Sequence, residues 1–194
     1  MEQDLFNYYK HALSNGLCSE YKGRWRACHD NKEQLVKLVM AQQSLPHFIH
    51  YCYNGMGLSK EYIQETFGDY INGNMVINDA DGVDGYTYSL YVGFKGDFKA
   101  AVDVLSLMWC NNTNVTVETS KCPVIYVGCG SHVHLSLDGY NCPHIYLFDD
   151  SNVTIGDADE DSKVVIYKYS DKAQVELGKY CLADVKVFDK DLRL

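Results

Sequence analysis

The stretch "CPVIYVGCGSHVHL", residues 122–135, is echoed twenty residues later by "CPHIYLFDDSNVTI", residues 142–155. Cys, Pro, Ile, Tyr, Ser and Val recur at the same offset. The echo belongs to a longer pattern of short strand-like segments. They are VLSL (104–107), NVTV (114–117), VIYV (124–127), HVHL (132–135), HIYL (144–147), NVTI (152–155), VVIY (164–167), QVEL (174–177) and DVKV (184–187). Their starts form two interleaved series, 104, 124, 144, 164, 184 and 114, 132, 152, 174. A meander of hairpins has no reason to repeat every second strand. A solenoid does, because each coil lays a strand on the matching strand of the coil before. The spacing therefore predicts a parallel β-solenoid over 102–194, with about four coils of about 20 residues each.

Alternate residues of a strand point to opposite faces. Ile125, Val127, Val133, Leu135, Ile145, Leu147, Val153 and Ile155 are predicted to stack inside the coil. Tyr126 and Tyr146, and His132 and Asn152, are predicted to stack outside it. Pro123 and Pro143 fall at one corner, just before a strand, where a missing N–H costs least. Open coil ends expose unpaired strand edges, so caps are expected.

The chain before residue 102 reads differently. Residues 1–75 carry helical signals and are expected to form a small α-helical head, giving an α+β fold. "DLFNYYKHAL" puts Leu5, Tyr8, Tyr9, Ala12 and Leu13 on one helical face. Asp30 and Glu33 form a capping-box pattern before "QLVKLVM". Ser44 and Pro46 open "PHFIHYCY"; Ser59 caps "KEYIQETF", and Gly68 is expected to stop it. Residues 76–101 read as a turn-rich loop and a β-hairpin transition. The head and the hairpin over 86–107 are expected to cap one solenoid end, and "FDKDLRL" to guard the other.

The net charge is −9, from 26 acids and 17 bases. That balance argues against a direct grip on nucleic-acid phosphates and suits a basic partner, although it also serves plain solubility. "MEQDLFNYYK" has no basic stretch followed by an apolar run, and no apolar run reaches membrane length. A cytoplasmic location with no membrane partner is the expectation. Eight cysteines without a CxxC pair read as thiols rather than a zinc site or a disulfide frame. Cys122 and Cys142 would meet on adjacent coils, and a buried thiol ladder is the preferred reading there.

The chemical motifs are incomplete. His132 and His134 face one way on a strand, with His144 nearby, but the stack supplies no third ligand, so no metal is expected. Asp157, Asp159 and Asp161 have calcium-like spacing without the glycine and distal Glu of an EF-hand, and "NDADGVDG" (78–85) is similar. Asp138, Asp149 and Asp150 suggest a glycoside hydrolase, but a short solenoid offers little groove for paired carboxylates. No cofactor is indicated, and enzymatic activity is not expected.

The stretches "GLCSEYKGRW" (16–25), "GMGLSKEYIQETFGDYINGN" (55–74) and "DGYTYSLYVGFKGD" (84–97) resemble a family of uncharacterised proteins of gut Bacteroidales phages and integrated elements. That resemblance implies a helical head with short β-repeats, encoded by a phage or mobile-element accessory gene and acting in the infected cell. It brings no catalytic residues. The expected function is a non-enzymatic interaction module binding a host or phage protein, for instance as a host-defence inhibitor. The expected binding residues are Tyr126 and Tyr146, with Tyr167 or Tyr169 as candidates to continue the row, and Asp149, Asp150, Asp157 and Asp159 around them. The alternatives are a carbohydrate- or ligand-binding or -cleaving β-helix, and a virion component.

Overall fold

The structure, a computed structural model, describes residues 10, 23–24, 26–28, 31–40, 45–74, 76–78, 86–118, 122–138 and 141–190. The helix expected over "DLFNYYKHAL" lies outside these residues, apart from Lys10. Three short helices form the described head: α1 (Lys32–Met40), α2 (Leu45–Tyr53) and α3 (Lys60–Phe67). The Asn31 side chain accepts the N–H of Gln34 at 3.1 Å and so caps α1; Asp30, the expected cap, is outside the described residues, as is Ser44. Ser59 caps α3 as expected, accepting the N–H of Tyr62 at 3.2 Å. Gly68 does not stop the chain's helical path. Its backbone is itself helical, and a 3-10 turn runs on through Gly68–Tyr70. The reversal comes at Asn72 and Gly73, with φ of 57° and 80°. Asn72 then ties the head to the sheet: its side-chain Oδ1 accepts the N–H of Val92 at 2.8 Å.

Among the described residues twelve strands follow: β1 (Ile77–Asn78), β2 (Thr87–Val92), β3 (Gly96–Ala100), β4 (Val104–Met108), β5 (Asn111–Val117), β6 (Val124–Gly128), β7 (His132–Leu137), β8 (His144–Leu147), β9 (Asn152–Ala158), β10 (Lys163–Lys168), β11 (Gln174–Cys181) and β12 (Asp184–Asp189). One sheet, here sheet A, has the order β1-β2-β4-β6-β8-β10-β12; sheet B has β11-β9-β7-β5-β3. Only β1 is antiparallel, against β2. The chain alternates between the sheets, which makes a parallel β-solenoid of about five coils with about 20 residues each.

All nine strands expected from residue 102 onward are present. Ile125 pairs with Ile145, Tyr126 with Tyr146, Val133 with Val153 and His132 with Asn152. The expected hairpin over 86–107 is not formed. β2 pairs in parallel with β4, and β3 in parallel with β5. These strands are the first coil, so the solenoid begins near residue 87 rather than 102.

Two apolar cores share sheet A. The first fills the coil, and Ile125, Val127, Val133, Leu135, Ile145, Leu147, Val153 and Ile155 are all buried in it. Burying each such side chain is worth about 1.5–3 kcal/mol. Serines stack at one corner: Ser131 Oγ accepts the N–H of Cys110, and Ser151 Oγ that of Ser131, at 3.0 and 3.1 Å. At the first coil Tyr91, Phe94 and Phe98 plug the end, with Tyr91 and Phe98 stacked at 3.8 Å.

The second core lies on the outside of sheet A. There α1–α3 pack over Leu90, Val92, Val104, Met108, Tyr126, Cys129 and Phe148. The head therefore covers a flank of the solenoid, where an end cap had been expected. The sequence places side chains inside or outside a coil; it does not say what lies over the outside.

Candidate partner-binding face

The outward residues of sheet A form columns up the solenoid. One column follows register from Leu90 through Ser106, Tyr126, Tyr146 and Tyr167 to Phe188. Its rings touch in sequence, with centroids 5.0 Å apart for Tyr126–Tyr146, 5.1 Å for Tyr146–Tyr167 and 5.8 Å for Tyr167–Phe188. A second column stacks Phe148 on Tyr169 at 5.1 Å and nearly parallel. Offset-stacked aromatic pairs add about 0.5–1.5 kcal/mol beyond their burial.

The head divides this face. Gly128 carries no side chain at an outward position, and a Cβ there would sit 2.2 Å from Ile49 Cγ2 of α2. The glycine thus lets α2 press onto β6. Further along, Gln64 of α3 donates to the carbonyl of Val92 at 2.9 Å. Tyr126 belongs to the core between head and sheet, with 2% of its surface exposed. Burial raises its phenol's pKa well above the usual value, with Tyr146 adding to the effect. It does point outward from the coil, but it is an anchor for the chain's own head. That corrects the expectation of Tyr126 as a residue facing a partner. Tyr146, Tyr167 and Tyr169 are half-buried and Phe188 is exposed, so the ladder continues into the open.

The expected acidic residues do not form one cluster. Asp149 and Asp150 sit in the turn after β8, whereas Asp157 ends β9 and Asp159 lies in the turn before β10. They occupy opposite corners of the coil. Asp149 is in the left-handed backbone region with φ of 56°, and its carboxylate accepts the N–H of Cys129 at 3.1 Å. Burial raises its pKa from 3.8 to about 6. It faces Cys52 and Cys129, where the head meets the solenoid. Asp150 accepts a hydrogen bond from the Tyr53 phenol, at the exposed end of α2.

The outer face of sheet B is a polar groove of about 330 Å³. His132, His134, Asn114, Asn152, Thr154 and Glu176 are among its lining residues. His134 lies against Gly156, whose added Cβ would strike the imidazole. Asn152 donates to Glu176 and Gln174, and Asn114 to Asp97. Among the described residues Glu176 is the one carboxylate lining the groove, and no second one there completes the pair that glycoside hydrolysis needs. His144 belongs to sheet A and does not join His132 and His134. Among the described residues no three His, Cys, Asp or Glu side chains gather closely enough to hold a metal ion.

Cys122 and Cys142 meet on adjacent coils as free thiols in hydrogen-bonding reach. Cys122 is exposed and Cys142 half-buried, so this corner is not the buried ladder expected. Phe148 and Phe188 are the ladder members that alternation alone left unmarked. The step of about twenty residues from Tyr146 and Tyr167 was the signal for Phe188.

Compared with protein-family models, curated proteins and solved structures, the chain matches none. Among the described residues no helix is long and apolar enough to cross a membrane.

Proposed function

We propose that this protein is a non-enzymatic interaction module, docking a protein partner on the part of sheet A that its own head leaves open. Tyr146, Tyr167, Tyr169 and Phe188 are the apolar anchors. Asp149 and Asp150 rim one side, and Asp159 the other, with Asp157 beyond it on sheet B. The observation that carries this reading is the continuity of the aromatic columns. The same rows that bind the head continue from beneath it with their rings stacked, half-buried at Tyr146, Tyr167 and Tyr169 and exposed at Phe188. A surface that holds one protein segment by aromatic packing is suited to hold another, and clustered aromatics with a charged rim are a common form of interface. The acidic balance favours a basic partner. The resemblance to proteins of Bacteroidales phages and integrated elements supports a host or phage protein in the cytoplasm of an infected cell, such as a defence component.

The test is affinity capture from a Bacteroidales lysate with the intact chain and a Tyr146→Ala/Tyr167→Ala variant. Loss of one true anchor weakens binding by about 2 kcal/mol, near thirtyfold. Truncating Asp150 should act mainly on the association rate and its salt dependence. Undiminished capture of every partner by the double variant would rule the reading out. The polar groove on sheet B favours a second reading, binding of a hydroxyl-rich ligand. Retention on an oligosaccharide array that is lost in His134→Ala, with Tyr146→Ala unaffected, would favour it instead.

A further inference from the structure

The two ends of the solenoid differ. The first coil is filled by Tyr91, Phe94 and Phe98, and β1 pairs along the edge of β2. The last coil is open among the described residues. Val187 stacks in register on the fully buried Ile166, yet 47% of it is exposed; Leu177 stacks on Ile155, and 58% of it is exposed. Leu182 and Phe188 are exposed in the same coil. Core positions thus face solvent at one end.

The backbone of β12 is also half used. Asp184 and Lys190 donate their N–H groups to Ser162 and Lys168, at 3.0 and 2.7 Å. In a parallel ladder this alternation turns the N–H and C=O of Asp184, Lys186, Phe188 and Lys190 toward β10. It turns those of Val185, Val187 and Asp189 toward the open end. Antiparallel pairing of this edge with its own twin, centred on Val187, uses all three. Val187 meets Val187 on the twofold axis, and Val185 exchanges hydrogen bonds with Asp189. On the outer side, Asp184 faces Lys190 of the second copy, and Lys186 faces the ring of Phe188. The pattern is complementary to itself under that one rotation, as a twofold contact requires.

We propose that the protein forms a twofold end-to-end dimer in which β12 pairs antiparallel with β12 of a second copy, closing the open coil. The contact continues sheet A across the axis and joins the two aromatic columns. It uses the coil end and meets the proposed partner site at Phe188 alone; the Tyr146→Ala/Tyr167→Ala variant, which leaves β12 unchanged, separates the two.

Sedimentation of the full chain over a concentration series up to about 100 µM tests it. The expected result is a monomer–dimer equilibrium. Val187→Pro removes an N–H that no bond among the described residues uses, at an edge position where proline is tolerated. It should weaken the dimer at least about tenfold and leave the melting temperature nearly unchanged. Asp184→Lys should weaken it about tenfold, and Asp184→Lys with Lys190→Asp should restore it. A wild-type chain that stays monomeric, a trimer, or a dimer indifferent to both Val187→Pro and Asp184→Lys would overturn the proposal.

Discussion

Asp149 sits at the seam where α2 meets the β8–β9 turn, and burial raises its pKa from 3.8 to about 6. In the native state the carboxyl holds its proton up to about pH 6; in the unfolded chain it releases it near 4. Between those values the native state binds more protons than the unfolded state, so this residue's contribution falls as pH rises. Its cost is absent below about pH 4 and complete above about pH 6. Asp149→Asn removes the ionisation, keeps an oxygen for the Cys129 N–H, and tolerates the left-handed backbone. The expected gain over wild type in chemical denaturation is near zero at pH 4 and about 1–2 kcal/mol at pH 7.5, reduced by partial solvation. A gain independent of pH would show that the carboxyl does not ionise against burial. The sequence marked Asp149 only as one acid among several. Its strain and burial come from the turn and from Cys52 and Cys129 around it, which no local pattern reveals.

Individual elements were legible wherever two periods agreed. Alternation set the inward residues of each strand, and the twenty-residue step set their partners, as with Ile125 on Ile145. Ile145 lies between Ile125 and Ile166 with no exposed surface. Ile145→Asp buries an unpaired charge between coils and should cost at least about 4 kcal/mol, seen as loss of the β-sheet circular dichroism signal. An unchanged melting temperature would place Ile145 outside the core. The first coil was missed because its step falls short of twenty residues and it lacks the Cys-Pro corner. Its phenylalanines form a plug, where later coils repeat aliphatic residues. The position of α2 was also hidden, though a glycine in the outward column of Met108 and Phe148 was a trace of close approach. Gly128→Ala should cost about 1–3 kcal/mol by crowding Ile49. In an Ile49→Ala background that cost should largely vanish, because the clashing methyl is gone. Equal costs in both backgrounds, measured in denaturant, would show that α2 does not rest on β6.

For the whole molecule, the head covers part of the outer face of sheet A, and the proposed function assigns the rest of that face to a partner. The head occupies the columns around Tyr126, and the remainder of the ladder stays available. Strand alternation alone does not assign these parts, because outward tyrosines look alike whether a helix or solvent covers them. This is why Tyr126 and Tyr146 read as equals and prove to be different. Oxidative footprinting of the aromatic residues, with and without the captured partner, tests this division most directly. In the free protein Tyr126 should resist modification while Tyr167 and Phe188 react; in the complex, Tyr146, Tyr167, Tyr169 and Phe188 should become protected. Modification of Tyr126 as readily as Phe188 in the free protein, or protection that falls on His132 and His134 instead, would contradict the account.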